Sequence, residues 1–212
     1  MNRNELWVDT GDVAVCSRVV LARNICGYPF PERMSVRMAG EICDKLRCVL
    51  GEDYSFFALG RKKGYIRVPG DEDTGIILGE GDHIRIQSVL PGLALRAAFS
   101  RVWKIERILN AYLPFAFDAQ LGYLTRSPEE LGTALRCSVT LLLPGLSRLG
   151  RSEYWEMEAQ TMDMLWLDGG AVNAFTIGNR LCLGRTEEEL LGGAEEIAQR
   201  LIAAERSARQ EV

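Results

Sequence analysis

The stretch from residue 76 to residue 87, "IILGEGDHIRIQ", constrains the fold of this chain more than any other. In its second half Ile84 and Ile86 alternate with His83, Arg85 and Gln87. Successive side chains of an extended chain point to opposite faces, so this period of two describes a strand with one apolar and one polar face. Extending the alternation backwards through the same strand places Gly81 on the polar face, beside His83 and Arg85. A glycine inside a strand weakens it and leaves a gap where a side chain could stand. Two other segments repeat the pattern. "GDVAVCSRVVLARN" (residues 11–24) is an extended segment with Arg18 on the face of Cys16 and Val20, and "RCSVTLLLP" sets Arg136 beside Ser138 and Thr140. One such arginine is an ordinary group on a solvated sheet. Three on strands that can pair describe a basic face suited to polyphosphate, because guanidinium forks hold phosphate oxygens through charge-assisted, bidentate bonds.

The remaining pattern supplies helices to cover such a sheet. "MSVRMAGEICDKLRCVLG" places Met38, Ala39, Ile42, Leu46 and Val49 at helical spacing and stops at Gly51. Short strands are expected in "YSFFALG", "GYIRVPG" and "TGIILGEGDHIRIQSVL". After Pro91-Gly92, a helix carries Leu95, Ala98, Phe99, Val102, Leu109 and Tyr112 on one face. "FAFDAQLGYLT" reads as a further strand, "EYWEMEAQTMDMLWL" as one helix, and "AVNAFTIGNRLCLG" as a strand or hairpin. Trp103, Trp155 and Trp166 fall in helical patterns and read as packing residues. The closing helix starts at a capping box, Thr186 with Glu189, and buries Leu190, Ala194, Ile197, Leu201 and Ile202; its end, "AAERSARQEV", reads as solvated. The class is therefore α+β, a central and mostly antiparallel sheet flanked by helices, read as a single domain over residues 1–212.

Composition bounds the function. A chain of 212 residues, 47% hydrophobic and 25% charged, is that of a globular protein able to bury a core. A net charge of −4 gives no electrostatic case for nucleic acid or an anionic membrane. No apolar run approaches the roughly 20 residues of a membrane span, and "MNRNELWVDTG" lacks the apolar core of a secretory signal. Six scattered cysteines without a C-x-x-C pair, and one histidine, argue for reduced thiols in a cytoplasmic protein and against a zinc site. Neither a G-x-x-x-x-G-K-[ST] nor a G-x-G-x-x-G phosphate loop occurs.

Several segments together resemble the phosphagen (ATP:guanido) kinases. "VCSRVVLARN" is similar to their S-S-R-V-R-x-x-R-N/S, and "GEGDHIRIQ" to N-E-E-D-H-[LI]-R-I. "FAFDAQLGYLTRSPEELGTALRCSVTLLLPGL" is similar to L-G-Y-L-T-x-C-P-T/S-N-x-G-T-G-L-R-A-S-V and the L-P that follows it. "FTIGNRLCLGRTEEELL" resembles I-S-N-x-x-x-L-G-x-[ST]-E. "DHIRIQ", the L-P-G-L ending and "ERSAR" point to the bacterial protein-arginine-kinase branch. The resemblance implies a phosphagen-kinase, glutamine-synthetase-like catalytic domain, here without the phosphoarginine-binding C-terminal extension. It implies ATP, with Mg, as the phosphoryl donor, held by Arg18, Arg85 and Arg136 with His83 beside them. Asp82 and His83 keep the D-H of the central motif, and Gly132 and Thr133 keep the G-T turn.

The departures fall on the chemistry. With Asp82 and His83 fixing the register, Gly81 stands at the place of the catalytic glutamate. Glu80 keeps the first glutamate, but a neighbouring strand residue projects to the opposite face, which makes it a poor substitute. Val20 stands for a second phosphate arginine, Ser127 for the reactive cysteine, and Thr140 for a histidine of the small-molecule kinases. "DGGA" (168–171) is all that remains of the R-G-x-x-G-E-x-[ST]-E loop and its second glutamate, and the adenine-contacting stretch has shrunk to "GRKKGYIRVPGDEDTG". These losses lead to the expectation of a catalytically impaired pseudokinase with residual nucleotide or anion binding, acting through a protein partner or an intact arginine kinase. The alternative is an active guanidino or protein-arginine kinase using Glu80, Asp82 or Asp168.

Overall fold

The alternating segments form the middle of one continuous sheet. The computed structural model describes residues 12–211. In chain order the elements are β1 (Ala14–Arg23), α1 (Val36–Leu50), β2 (Ser55–Ala58), β3 (Gly64–Val68), β4 (Asp71–Glu80), β5 (Asp82–Pro91) and α2 (Leu95–Asn110). There follow β6 (Phe117–Asp118), β7 (Gly122–Tyr123), β8 (Leu135–Leu142), α3 (Pro144–Arg148), α4 (Ser152–Thr161), β9 (Met164–Asp168), β10 (Ala174–Asn179) and α5 (Glu187–Glu211). Eight strands make the main sheet in the order β2-β3-β4-β5-β1-β8-β10-β9, every neighbouring pair antiparallel. No helix among the described residues is long and apolar enough to cross a membrane.

One face of the sheet is covered. Val19, Leu21, Ile84, Ile86, Leu135 and Val139 are fully buried on that face, against α2 (Leu95, Ala98, Val102, Leu109) and α5 (Leu190, Ala194, Ile197, Leu201). Each such side chain contributes about 1.5–3 kcal/mol by leaving water. The helix limits follow local chemistry. Ser35 accepts the Met38 N–H to open α1, and Gly51 closes it at φ 80°. At α5 the capping box forms in both directions, with Thr186 N–H on Glu189 and Glu189 N–H on the Thr186 hydroxyl.

Five sequence expectations are corrected. "TGIILGEGDHIRIQSVL" is two strands, because Gly79 and Gly81 take φ of 70° and 76° and reverse the chain so that Glu80 faces Asp82. "EYWEMEAQTMDMLWL" is not one helix: α4 stops at Thr161, Asp163 turns the chain at φ 58°, and Trp166 lies on β9, against Phe175. "FAFDAQLGYLT" is the two-residue pair β6–β7 around a turn held by the Asp118 carboxylate, and Tyr112 lies beyond α2, exposed. The end of α5 is not all solvated. Glu205 is fully buried, accepting the Gly145 and Leu146 N–H groups at 2.9 Å each and thereby capping α3.

Two polar assemblies fix the sheet where the arginines lie. Arg23 Nε bonds Glu106 at 2.9 Å with both side chains out of water, Nη1 reaches the Ala22 and Thr133 carbonyls, and the guanidinium lies 3.5 Å from the Tyr123 ring centroid. At the β4–β5 tip, Asp82 Oδ1 accepts from Asn24 Nδ2 (2.7 Å) and the Arg126 N–H (2.9 Å), while Asn24 Oδ1 accepts the His83 N–H (2.9 Å). His83 Nδ1 accepts the Ile25 N–H at 2.9 Å, so Nε2 carries the proton that it donates to the Pro29 carbonyl at 2.8 Å. Burial lowers the His83 pKa, against the opposing pull of the Pro29 bond and the Asp82 charge.

Replacing Glu106 by Ala strands a buried guanidinium, and urea unfolding is expected to show a loss of about 3–5 kcal/mol. For His83 the unfolded chain binds a proton more readily than the folded one. Stability is therefore expected to fall as pH drops through about 6.5, visible in urea midpoints between about pH 7.5 and 5.5. The His83→Gln variant should lose that part of the pH dependence.

Candidate active site

The three arginines read from the sequence lie on adjacent strands, on the face opposite the helices. Val20 on β1 stands between Gln87 on β5 and Arg136 on β8. Arg18 stands between Val89 and Ser138, and Ala22 faces Arg85. A shallow pocket of about 340 Å³ is lined by Arg18, Val20, Ile77, Glu80, Gly81, Arg85 and Gln87, with Arg136 outside its lining. A separate cavity of about 250 Å³, between α1 and the β2–β3 turn, contains none of the three arginines.

The arginines differ in how they are engaged. Arg18 Nη2 donates to Gln87 Oε1 at 2.9 Å and meets no carboxylate among the described residues. Arg136 Nη1 donates to the Arg180 carbonyl at 3.2 Å. Arg85 is held on both prongs. Nη1 bonds Asp82 Oδ2 at 3.0 Å and Glu130 Oε2 at 3.1 Å, and Nη2 bonds Glu130 Oε1 at 3.1 Å. That same Glu130 oxygen lies 3.8 Å from Arg136 Nε. Burial alone would lower the Arg85 pKa, but the Glu130 and Asp82 carboxylates outweigh it and hold the pKa above the ordinary guanidinium value.

The candidate carboxylates are unequal too. Asp82 is 1% exposed and spends its oxygens on Asn24, Arg126 and Arg85. Asp168 caps the β9–β10 turn through the Gly170 N–H, on an edge strand. Glu80 does not project away from the site as strict alternation required. The left-handed Gly79 breaks the alternation, and Glu80 lines the pocket with Arg18 and Arg85.

At Gly81 there is room for a side chain, since a Cβ would touch only Arg126 Cδ at 4.0 Å, though φ 76° costs a non-glycine residue about 1–2 kcal/mol. Arg126 is paired there with Glu32. Ser127 donates to Glu129 at 2.6 Å, and Thr140 shares a 2.9 Å bond with Thr176 on β10. His83 is 1% exposed with both ring nitrogens bonded to main chain, so it holds the Asn24–Pro29 segment and offers a ligand no free nitrogen.

Glu130 is the site residue that the sequence reading passed over. Its signal was present: "SPEELGTALR" sets Glu130 where the resembling segment C-P-T/S-N-x-G-T-G-L-R carries asparagine. Ala134, at φ 55°, likewise stands where that segment carries glycine.

Comparison with known proteins shows the family and the fold. The family model "ATP:guanido phosphotransferase, C-terminal catalytic domain" matches residues 56–208, well over half of the chain. A protein-arginine kinase of Exiguobacterium sp. is 31% identical over 95% of this chain and 67% of its own length. That of Caldanaerobacter subterraneus subsp. tengcongensis is 27% identical over 95% of this chain and 70% of its own. Among solved structures, the substrate-free duplicated taurocyamine kinase of Schistosoma mansoni superposes with a TM-score of 0.81 at 20% identity, over 97% of this chain and 35% of that one. Lombricine kinase gives 0.81 at 19% identity, over 94% of this chain and 68% of that one, a likeness of fold. The chain belongs to the ATP:guanido phosphotransferase family, through its catalytic domain.

Proposed function

We propose that this chain is a catalytically impaired protein-arginine-kinase-like phosphotransferase, a pseudokinase whose arginine face keeps weak anion binding and which acts by binding a protein partner in the cytoplasm. The observation that carries this reading is Gly81, a glycine in left-handed conformation at the place where the family segment has its glutamate. Transfer of a phosphoryl group to a guanidinium requires a carboxylate that orients the planar acceptor and takes its proton. Such general-base assistance contributes about 10²–10⁴-fold, and positioning and charge stabilisation supply most of the rest.

The polyphosphate side is weakened as well. Val20 presents an apolar side chain between Gln87 and Arg136, and Arg85 is already bonded to two carboxylates. Each missing charge-assisted hydrogen bond is worth about 1.5–3 kcal/mol. ATP, with Mg, would supply the γ-phosphoryl group and Arg18 and Arg136 would contact its phosphates; the residues present fit a single anionic group better than a triphosphate. On this reading the chain is one catalytic-type domain, and its partner is another protein such as an intact arginine kinase, neither nucleic acid nor membrane.

A second reading is favoured by Glu80, which lines the pocket beside Arg85 and could orient a guanidinium in place of the missing residue. Incubation with radiolabelled ATP and an arginine-rich protein separates the two. The expected result is no phosphoarginine above background. Turnover that disappears in both Arg85→Ala and Glu80→Gln would overturn the pseudokinase reading and establish the second one.

A further inference from the structure

Glu130 has a place in this face that loss of catalysis does not explain. Its carboxylate is 8% exposed as a residue and spans both terminal nitrogens of Arg85 at 3.1 Å, the fork-on-fork arrangement in which a guanidinium takes a phosphoryl group. The turn that carries it is tied down. Glu130 N–H bonds the Ser127 carbonyl at 3.0 Å, and Cys182 N–H bonds the Glu129 carbonyl at 3.0 Å. Gly132, at φ 106°, packs so closely that a Cβ would lie 2.8 Å from the Cys182 oxygen. The carboxylate is thus held against Arg85 in advance, at little further cost in side-chain freedom.

The charges balance. Arg18, Arg85 and Arg136 are matched by Asp82, Glu130 and Glu80, all three carboxylates bonded to Arg85 or lining the pocket beside it. A polyphosphate arriving there meets no net positive charge and must displace a carboxylate or share its arginine.

We propose that Glu130 is an internal counter-anion occupying a phosphoryl seat at Arg85 and Arg136, and that it is the residue which excludes polyphosphates from this face. The inference rests on reading the face as a degenerate phosphate site. It differs in locating the exclusion in one added carboxylate and not in the missing glutamate. Removing that charge while keeping its shape should reopen the seat.

The test is calorimetric titration of tripolyphosphate and of ATP into the wild type, Glu130→Gln and Glu130→Gln/Arg85→Gln, with folding checked by circular dichroism. Glu130→Asn takes the place of Glu130→Gln should the latter not fold. The expected result is a gain in tripolyphosphate affinity of about tenfold to a hundredfold in the single variant, lost in the double variant. A folded single variant that binds no better than wild type overturns the proposal, as does a gain that survives loss of Arg85. Phosphotransfer measured on the same variant keeps the two readings apart. Tighter binding without transfer leaves both standing, whereas transfer appearing in Glu130→Gln confirms the counter-anion and overturns the impairment assigned to Gly81.

Discussion

Arg85, the most heavily engaged arginine of the open face, takes its position from the way the β4–β5 tip is tied to the rest of the chain. Asp82 is the knot. One oxygen gathers Asn24 and the Arg126 N–H, the other takes Arg85, and the next residue, His83, pins the Asn24–Pro29 segment through both ring nitrogens. Three stretches far apart in sequence are thereby fixed around one carboxylate that is 1% exposed. A buried carboxylate with both oxygens bonded is a strong positional constraint, because any displacement leaves donors unpaired at about 1–3 kcal/mol each. The same bonds and burial make Asp82 unsuitable as a general base. In this chain the D-H pair is architecture, and it holds Arg85 where it is whether or not a nucleotide arrives.

What could be read from the sequence follows the range of the forces involved. The arginine strands were legible because a strand's two faces are set by a period of two, and burial of Ile84, Ile86, Val19 and Val139 on one side forces Arg85, Arg18 and Ser138 to the other. The helix limits at Ser35, Gly51 and Thr186 were legible because caps are local. The reversal at Gly81 was not, because alternation continues on both sides of "GEG" and periodicity carries no record of a positive φ. Trp166 followed the same rule in the other direction, a strand residue counted into a helix because the left-handed Asp163 gives no pattern of its own. Glu205 and Glu130 were missed for another reason. Their partners lie 60 and 45 residues away, so only the folded chain shows that one caps α3 and the other clamps Arg85.

The charge pattern also bears on how an arginine face persists without a polyphosphate. A partly buried guanidinium has lost water on several sides and needs acceptors in exchange. Arg23 in the core has Glu106, two carbonyls and an aromatic face, while its Nη2 has no hydrogen-bond acceptor. Arg85 solves it on the face with Asp82 and Glu130, and its raised pKa records that the carboxylates more than offset its burial. Arg18, bonded to the neutral Gln87 amide, meets no carboxylate among the described residues, and Arg136, bonded to the Arg180 carbonyl, lies 3.8 Å from Glu130, so both keep more charge for an outside anion than Arg85 does.

Gly81 and Glu130 then describe a coherent change at one site and not two scattered ones. Removing a carboxylate at the hairpin tip lowers the local negative charge by one unit, and a carboxylate at residue 130 restores it on the other side of Arg85. A glutamate at 81 would face the open pocket, where a Cβ has room and a carboxylate could meet an acceptor, whereas Glu130 faces the arginines and occupies what an acceptor's phosphoryl donor would need. Such an exchange conserves the electrostatic stability of the sheet face and removes a requirement for ligand to neutralise it. On the proposed reading, the carboxylates at residues 82 and 130 satisfy Arg85 from within the chain, so the sheet face needs no nucleotide to hold that arginine in place.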